Sequence, residues 1–204
     1  NKLMKIASWN VNGIRARIEH VTTWIESNQP DVLALQETKV MDEMFPFDVF
    51  ASLGYQANIY GQKSYNGVAL LSKEKPKVCK KGIDGFTDEQ TRVISGIYKD
   101  ITIIDVYIPN GQSVGSEKFE YKMKWLKHLH DYLTDLIKTD QKIIVLGDFN
   151  IAPQNQDVHD PEAWKGKVLC SDTERAWFKK IEQIGFIDSF RLFNQDEGLF
   201  SWWD

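Results

Sequence analysis

Short apolar runs separated by polar or glycine-containing stretches set the rhythm of the chain. Met4–Trp9, Val32–Gln36, Tyr55–Tyr60, Gly67–Ser72, Val93–Tyr98, Ile101–Tyr107 and Ile143–Leu146 each have the length and residue types of a strand. Between two of these runs, Lys99-Asp100 has the length of a tight hairpin connection. Helical spacing occurs in Ile14, Ile18, Val21 and Ile25, and more strongly in Met123, Leu126, Leu129, Leu133, Leu136 and Ile137. A third helix is expected from Ser171, where Glu174 completes a capping box ahead of Trp177, Phe178, Ile181 and Ile184. Helices and hairpins interleave, which predicts a layered α/β fold with at least one antiparallel pair, not a pure βαβ alternation. No repeat, low-complexity tract or flexible linker interrupts the pattern, so residues 1–204 are expected to form a single domain.

Composition narrows the class. At 204 residues and 42% apolar content the chain can bury a substantial core. No apolar run reaches the roughly twenty residues that span a bilayer, so no membrane partner is expected. The first residues carry no signal-peptide pattern, and Met4 reads as the natural start. Cys79 and Cys170 are too few for a disulfide framework and read as reduced thiols of a cytoplasmic protein. The net charge of −4 counts against bulk, charge-driven nucleic-acid binding, so any DNA contact would need a local basic face.

Chemistry concentrates where the strands end. Met4–Trp9 runs into Asn10-Val11-Asn12-Gly13, Val32–Leu35 into Gln36-Glu37-Thr38-Lys39, and Ile143–Leu146 into Gly147-Asp148-Phe149-Asn150. Carboxyl ends of buried strands in α/β sheets face the crevice where ligands bind. Glu37, Asp148, Asn10 and Asn150 there would be hard oxygen donors suited to Mg²⁺, which takes few protein carboxylates and prefers phosphate oxygens and water for the rest. Singly, each has a plain structural reading: Glu37 as a cap, Asp148 as a turn former. Their recurrence at three strand ends points instead to metal-assisted attack on a phosphate ester. Gly147 permits close backbone approach, and Asn150 can point the same way as Asp148 in extended chain. Among the histidines, His20, His128, His130 and His159 show no ligand-like spacing and read as structural or surface groups.

The motifs themselves closely resemble the exonuclease III family of abasic-site endonucleases, within the endonuclease/exonuclease/phosphatase superfamily. The resemblance is carried by Trp9-Asn10-Val11-Asn12-Gly13-Ile14-Arg15-Ala16, Leu35-Gln36-Glu37-Thr38-Lys39 and Gly147-Asp148-Phe149-Asn150-Ile151-Ala152-Pro153. Tyr65-Asn66-Gly67-Val68-Ala69-Leu70-Leu71-Ser72, Arg92-Val93-Ile94 and Val106-Tyr107-Ile108-Pro109-Asn110-Gly111 match as well. It implies a four-layer α/β sandwich, two packed mixed β-sheets flanked by helices, and a phosphodiesterase using Mg²⁺, with Mn²⁺ as a substitute. The implied substrate is double-stranded DNA with abasic sites or damaged 3′ ends. The implied protein is a cytoplasmic, bacterial-type monomer.

By the same resemblance Glu37 is the metal-binding carboxylate, with Asn10 beside it, and Asp148 handles the nucleophilic water or its proton. Asn150 and Asn10 orient the apparatus and the phosphate, Tyr107 lies at the scissile phosphate and Asn110 near it. Asn12 stands where some members carry Asp. Arg15, Tyr65 and Asn66 are implied DNA-backbone contacts, and Trp202 a wall of the pocket for a base-free sugar. The competing readings are solvated charge for Arg15 and Arg17, a plain turn for Tyr65-Asn66-Gly67 and core packing for Trp202. Lys73, Lys75, Lys77, Lys80 and Lys81 read as a solvated sheet edge. Family members continue with an Arg-x-Asp-Tyr-like strand and a Ser-Asp-His motif that would follow Asp204, so the C-terminal part of the fold is expected to be missing and residues 1–204 alone to cleave DNA poorly. Two alternatives stay open: a phosphatase or phosphodiesterase of the same fold acting on a small phosphoester or phospholipid headgroup, and a non-catalytic DNA-binding remnant.

Overall fold

The computed structural model describes residues 4–112, 114–139, 142–150 and 172–183. Contacts divide the chain into two compact units, Asn1–Tyr107 with Gln141–Asp148, and Ile108–Asp140 with Phe149–Asp204.

The first unit holds β1 (Ile6–Asn10), α1 (Ile18–Asn28), β2 (Val32–Gln36), α2 (Phe47–Ala51), β3 (Gln56–Tyr60), β4 (Val68–Ser72), β5 (Cys79–Lys81), β6 (Val93–Tyr98), β7 (Ile101–Tyr107) and β8 (Lys142–Asp148). These strands form two four-stranded sheets, ordered β1-β2-β4-β3 and β5-β6-β7-β8. Both sheets are mixed: β1 with β2 and β7 with β8 run parallel, and the remaining neighbours antiparallel.

The period of two along a strand explains how they stack. Val32 and Ala34 of β2 and Val68 and Leu70 of β4 face Ile94, Tyr98 and Ile103 of the second sheet in one buried cluster. Leu33, Leu35, Ala69 and Leu71 face the other way, against Val21 and Ile25 of α1 and Phe50 of α2. Because β2 and β4 are covered on both faces they read as continuous apolar runs, not alternating ones. The outer strand β5 is exposed and carries Lys80 and Lys81, a charged edge that resists pairing with another chain.

Local signals set the element ends. α1 stops at Gln29, which turns left-handed (φ 47°) and returns its N–H to Ile25 O, with Pro30 next. Lys99 supplies the left-handed residue of the β6–β7 hairpin (φ 56°). Strands run within two residues of expectation, whereas β5 and α2 went unread: three and five residues are too short for a period to show.

The second unit contains α3 (Glu117–Ile137) and α4 (Asp172–Gln183). α3 starts where Ser116 Oγ accepts the Phe119 N–H at 3.1 Å. The two helices meet through Lys122 and Glu174 and through the rings of His130 and Trp177, 5.9 Å apart. Ser171, the expected cap of α4, lies outside the described residues. Among the described residues no helix is long and apolar enough to cross a membrane.

Candidate active site

Two hydrogen bonds join the ends of strands from opposite sheets. Asn10, the last residue of β1, donates from Nδ2 to Asp148 Oδ2 at 2.8 Å. Tyr107, the last residue of β7, donates its hydroxyl to Glu37 Oε1 in a short contact. Register makes this possible: Asn10 lies beside Gln36 on the parallel β1–β2 pair, and Tyr107 beside Asp148 on the parallel β7–β8 pair. Four chain segments thus bring two carboxylates, an amide and a phenol to one edge of the first unit.

Each position is built by its neighbours. The β1–β2 ladder continues past the strands, with Val11, Gly13 and Ile14 donating to the carbonyls of Gln36, Glu37 and Thr38 at 3.0, 2.7 and 3.0 Å. Glu37 takes a left-handed backbone (φ 55°), which breaks the strand alternation right after Gln36. Gln36, on the same face of β2 as Val32 and Ala34, points into the core, where its Nε2 meets Asp105 Oδ1 at 2.8 Å and Ser8 Oγ at 3.1 Å. Gly147 has φ 132°, and a Cβ there would sit 1.9 Å from Val106 O, so only glycine lets β8 approach β7 before Asp148.

The electrostatics favour a phenol that stays neutral. Burial, then the hydrogen bond and charge of Glu37, push the Tyr107 hydroxyl far above the usual phenol range, and the charge of Asp148 adds to the rise. Arg92 works against this only in part. Its guanidinium lies 4.8 Å from the Tyr107 ring centroid and donates to the Tyr107 carbonyl at 3.0 Å.

The donor set fits a hard divalent cation. Glu37 keeps an oxygen that Tyr107 does not use; Oε2 is only 3.6 Å from Lys39 Nζ, a loose pair at a partly exposed carboxylate. Asn10 Oδ1 accepts the Asn12 N–H at 3.0 Å and retains a second lone pair. Asn12 Oδ1 accepts from Lys39 Nζ at 2.6 Å. Among the described residues no cluster of three or more His, Cys, Asp or Glu could cage a metal. One carboxylate plus amide oxygens, with water and phosphate for the rest, is a coordination habit of Mg²⁺ and not of zinc.

Two further segments flank the strand ends. The Tyr65-Asn66-Gly67 loop docks on the Glu37 turn, with the Lys39 and Thr38 amides donating to Asn66 O at 2.9 Å and Gly67 O at 3.2 Å. A Cβ on Gly67 would fall 2.0 Å from Thr38 Oγ1, so the contact needs glycine. Tyr65 is 70% exposed at the loop tip, and Asn66 donates to Gln62 Oε1 at 2.9 Å. Arg15 opens a short 3-10 turn, Arg15–Arg17, and is exposed.

The other two amides belong to the second unit. Asn110 is exposed, its Oδ1 accepting the Gln112 N–H at 3.2 Å. Asn150 Nδ2 donates to Ile108 O at 2.8 Å, and its backbone is left-handed (φ 45°). Trp202 lies outside the described residues. Sequence reasoning quoted Lys39 and Arg92 within motifs without giving them a role, and passed over Gln62 and Lys122. Lys122 left one readable sign: it sits between Phe119 and Leu126 in an otherwise apolar stripe of α3.

The chain is 38% identical to exodeoxyribonuclease III of Haemophilus influenzae, over 98% of its own length and 80% of that protein. With the exodeoxyribonuclease of Bacillus subtilis the identity is 35%, over 98% and 80% of the two chains. Among solved structures it is similar to the 3′-5′ exonuclease NExo of Neisseria meningitidis, with a TM-score of 0.92, 38% identity and 95% and 76% of the two chains covered. An AP endonuclease from Archaeoglobus fulgidus gives a TM-score of 0.92 at 36% identity, covering 97% and 77%. Residues 7–203 match the model of the endonuclease/exonuclease/phosphatase family. With its strand-end carboxylates on two stacked mixed sheets, the chain belongs to the endonuclease/exonuclease/phosphatase family.

Proposed function

We propose that this protein is a DNA-repair phosphodiesterase that cuts duplex DNA 5′ to abasic sites and trims damaged 3′ ends, leaving a 3′-hydroxyl. The observation that carries this reading is the pair of cross-sheet hydrogen bonds, Asn10 to Asp148 and Tyr107 to Glu37. They hold a proton acceptor and a neutral proton donor at one edge, as in-line hydrolysis of a phosphodiester requires. The names of the similar proteins, exodeoxyribonucleases and an AP endonuclease, support DNA as the substrate.

Glu37 and the Asn10 amide oxygen are the groups that would hold Mg²⁺, or Mn²⁺ in its place. When bound, such a cation would polarise the phosphoryl oxygen and ease formation of hydroxide. Asp148 then takes the proton of the attacking water, and Asn10 Nδ2 keeps the carboxylate turned for that task. Tyr107, kept neutral, donates to the charge that grows on the phosphate oxygens. The amides of Asn10 and Asn150 orient the phosphate. Arg15 and the Tyr65-Asn66 loop grip the DNA backbone, which positions the duplex without reading its sequence.

Substrate class is tested by offering the protein an abasic duplex, an intact duplex with a 3′-phosphate, and inositol phosphates, each with Mg²⁺ and with EDTA. Metal-dependent turnover of the two DNA substrates alone is the expected result. Faster hydrolysis of inositol phosphates would make the protein a small-phosphoester hydrolase of the same fold.

A further inference from the structure

Deep in the second unit a lysine and a glutamate are buried together, with no exposure of either side chain. Lys122 on α3 donates to the Glu174 carboxylate of α4 and, at 2.7 Å, to the backbone carbonyl of Asn150. Its stem runs under the Asn110-Gly111 turn: a Cβ on Gly111 would lie 3.1 Å from Lys122 Cδ, and Gly111 has φ +80°. Asn150 is itself tied down by its own side chain, through Ile108 O. One side chain therefore packs its stem against the turn after Asn110 and places its ammonium on the Asn150 carbonyl.

Packing does not ask for charge here. An ion pair removed from water costs desolvation, and apolar residues of similar volume are often as stable or more so in its place. What an apolar side chain cannot do is donate a hydrogen bond to a carbonyl. Asn150 adopts a left-handed backbone, which asparagine tolerates better than other non-glycine residues but which remains one local choice among several until its surroundings impose it. A donor fixed on its carbonyl is such an imposition, because it sets the peptide plane after Asn150 and with it the direction of the amide side chain.

We infer that Lys122, braced by Glu174, is a positioning residue that holds Asn150 in its working conformation and so ties α4 to catalysis. This rests on the proposed function only in that Asn150 serves the phosphate.

The test compares Lys122→Met, the paired replacement Lys122→Met/Glu174→Leu, and Lys122→Arg. Lys122→Met leaves a buried carboxylate unpaired and is expected to lower the melting temperature markedly. The paired replacement should recover the melting temperature to within a few degrees of the parent, yet keep kcat on an abasic duplex at least tenfold down with KM changed less than twofold. Its Asn150 side-chain amide resonances, identified by their loss in Asn150→Ala, should move. Recovery of kcat along with stability, or unmoved Asn150 resonances, would overturn the inference. Should the paired variant not fold, Lys122→Arg decides: retention of kcat within threefold of the parent supports it, and a loss equal to that of Lys122→Met overturns it. A parent inactive on DNA would count against the functional reading alone, since the Asn150 resonances still report the positioning.

Discussion

Asp105 is a carboxyl group sealed from water in the middle of β7, with Gln36 Nε2 on its Oδ1 at 2.8 Å. Burial pushes its pKa well above the ordinary carboxylate range, and the Gln36 hydrogen bond offsets this only partly. The folded protein therefore binds a proton here that the unfolded chain has released. Such a group contributes stability that is full below about pH 4 and is lost as pH rises towards the folded-state value. Asp105→Asn keeps the shape and removes the titration. Its melting temperature should gain on the parent steadily from pH 4 to pH 8; a constant difference across that range would mean that Asp105 is ionised in the fold. Glu37 and Asp148 differ in kind, because the proposed function uses both as carboxylates. Glu37→Gln should weaken use of Mg²⁺ and regain part of its activity at high metal concentration. Asp148→Asn should lose at least roughly a hundredfold in kcat with little metal rescue. Full activity of Asp148→Asn, with circular dichroism unchanged, would take it out of the chemistry.

Elements of this fold are held by a few backbone requirements that differ in cost. β8 reaches β7 only because Gly147 has no side chain to strike Val106 O. α3 begins on the Ser116 hydroxyl, a cap whose loss typically costs about 1 kcal/mol. Gly147→Ala should therefore lower the denaturant midpoint more than Ser116→Ala does, since it forces apart a parallel pair and displaces Asp148. It should also lower kcat, whereas Ser116→Ala should act on stability first. Equal midpoints for the two variants would show that the β7–β8 approach can relax. The same logic applies to the Tyr65-Asn66-Gly67 loop, which docks on the Glu37 turn through Gly67.

At the scale of the molecule, a net charge of −4 has to be reconciled with the proposed polyanionic substrate. Affinity must come from local cations, and Arg15 stands exposed just after the loop that Asn10 begins. Arg15→Ala should weaken binding to abasic and intact duplexes by similar factors. The slope of log affinity against log salt should become shallower by about one unit, as one phosphate contact is lost. An unchanged slope would place the basic footprint elsewhere.

Local pattern was enough for most elements and for the candidate residues at the strand ends. Periods of two and 3.6 report which face of a segment is buried, and the acidic and amide residues at the ends of β1, β2 and β8 belong to or adjoin those segments in the chain. Beyond the β6–β7 hairpin, pairing was not legible, because nothing local specifies a partner far away. Asn10 meets Asp148 across 138 positions, and Tyr107 meets Glu37 across 70. Gln36 was given no role, yet the alternation of β2 sends it to the buried Asp105, while the left-handed turn at Glu37 leaves that carboxylate on Tyr107. Nothing beside Lys122 in the chain marks it as paired, because Glu174, its partner on α4, stands 52 residues on. The sequence by itself thus determined which segments are strands and helices and which chemical groups stand at their ends, since those depend on neighbours in the chain. Only the tertiary structure decided which groups share a proton, a charge or a carbonyl, since stacked sheets and crossing helices choose those partners through packing.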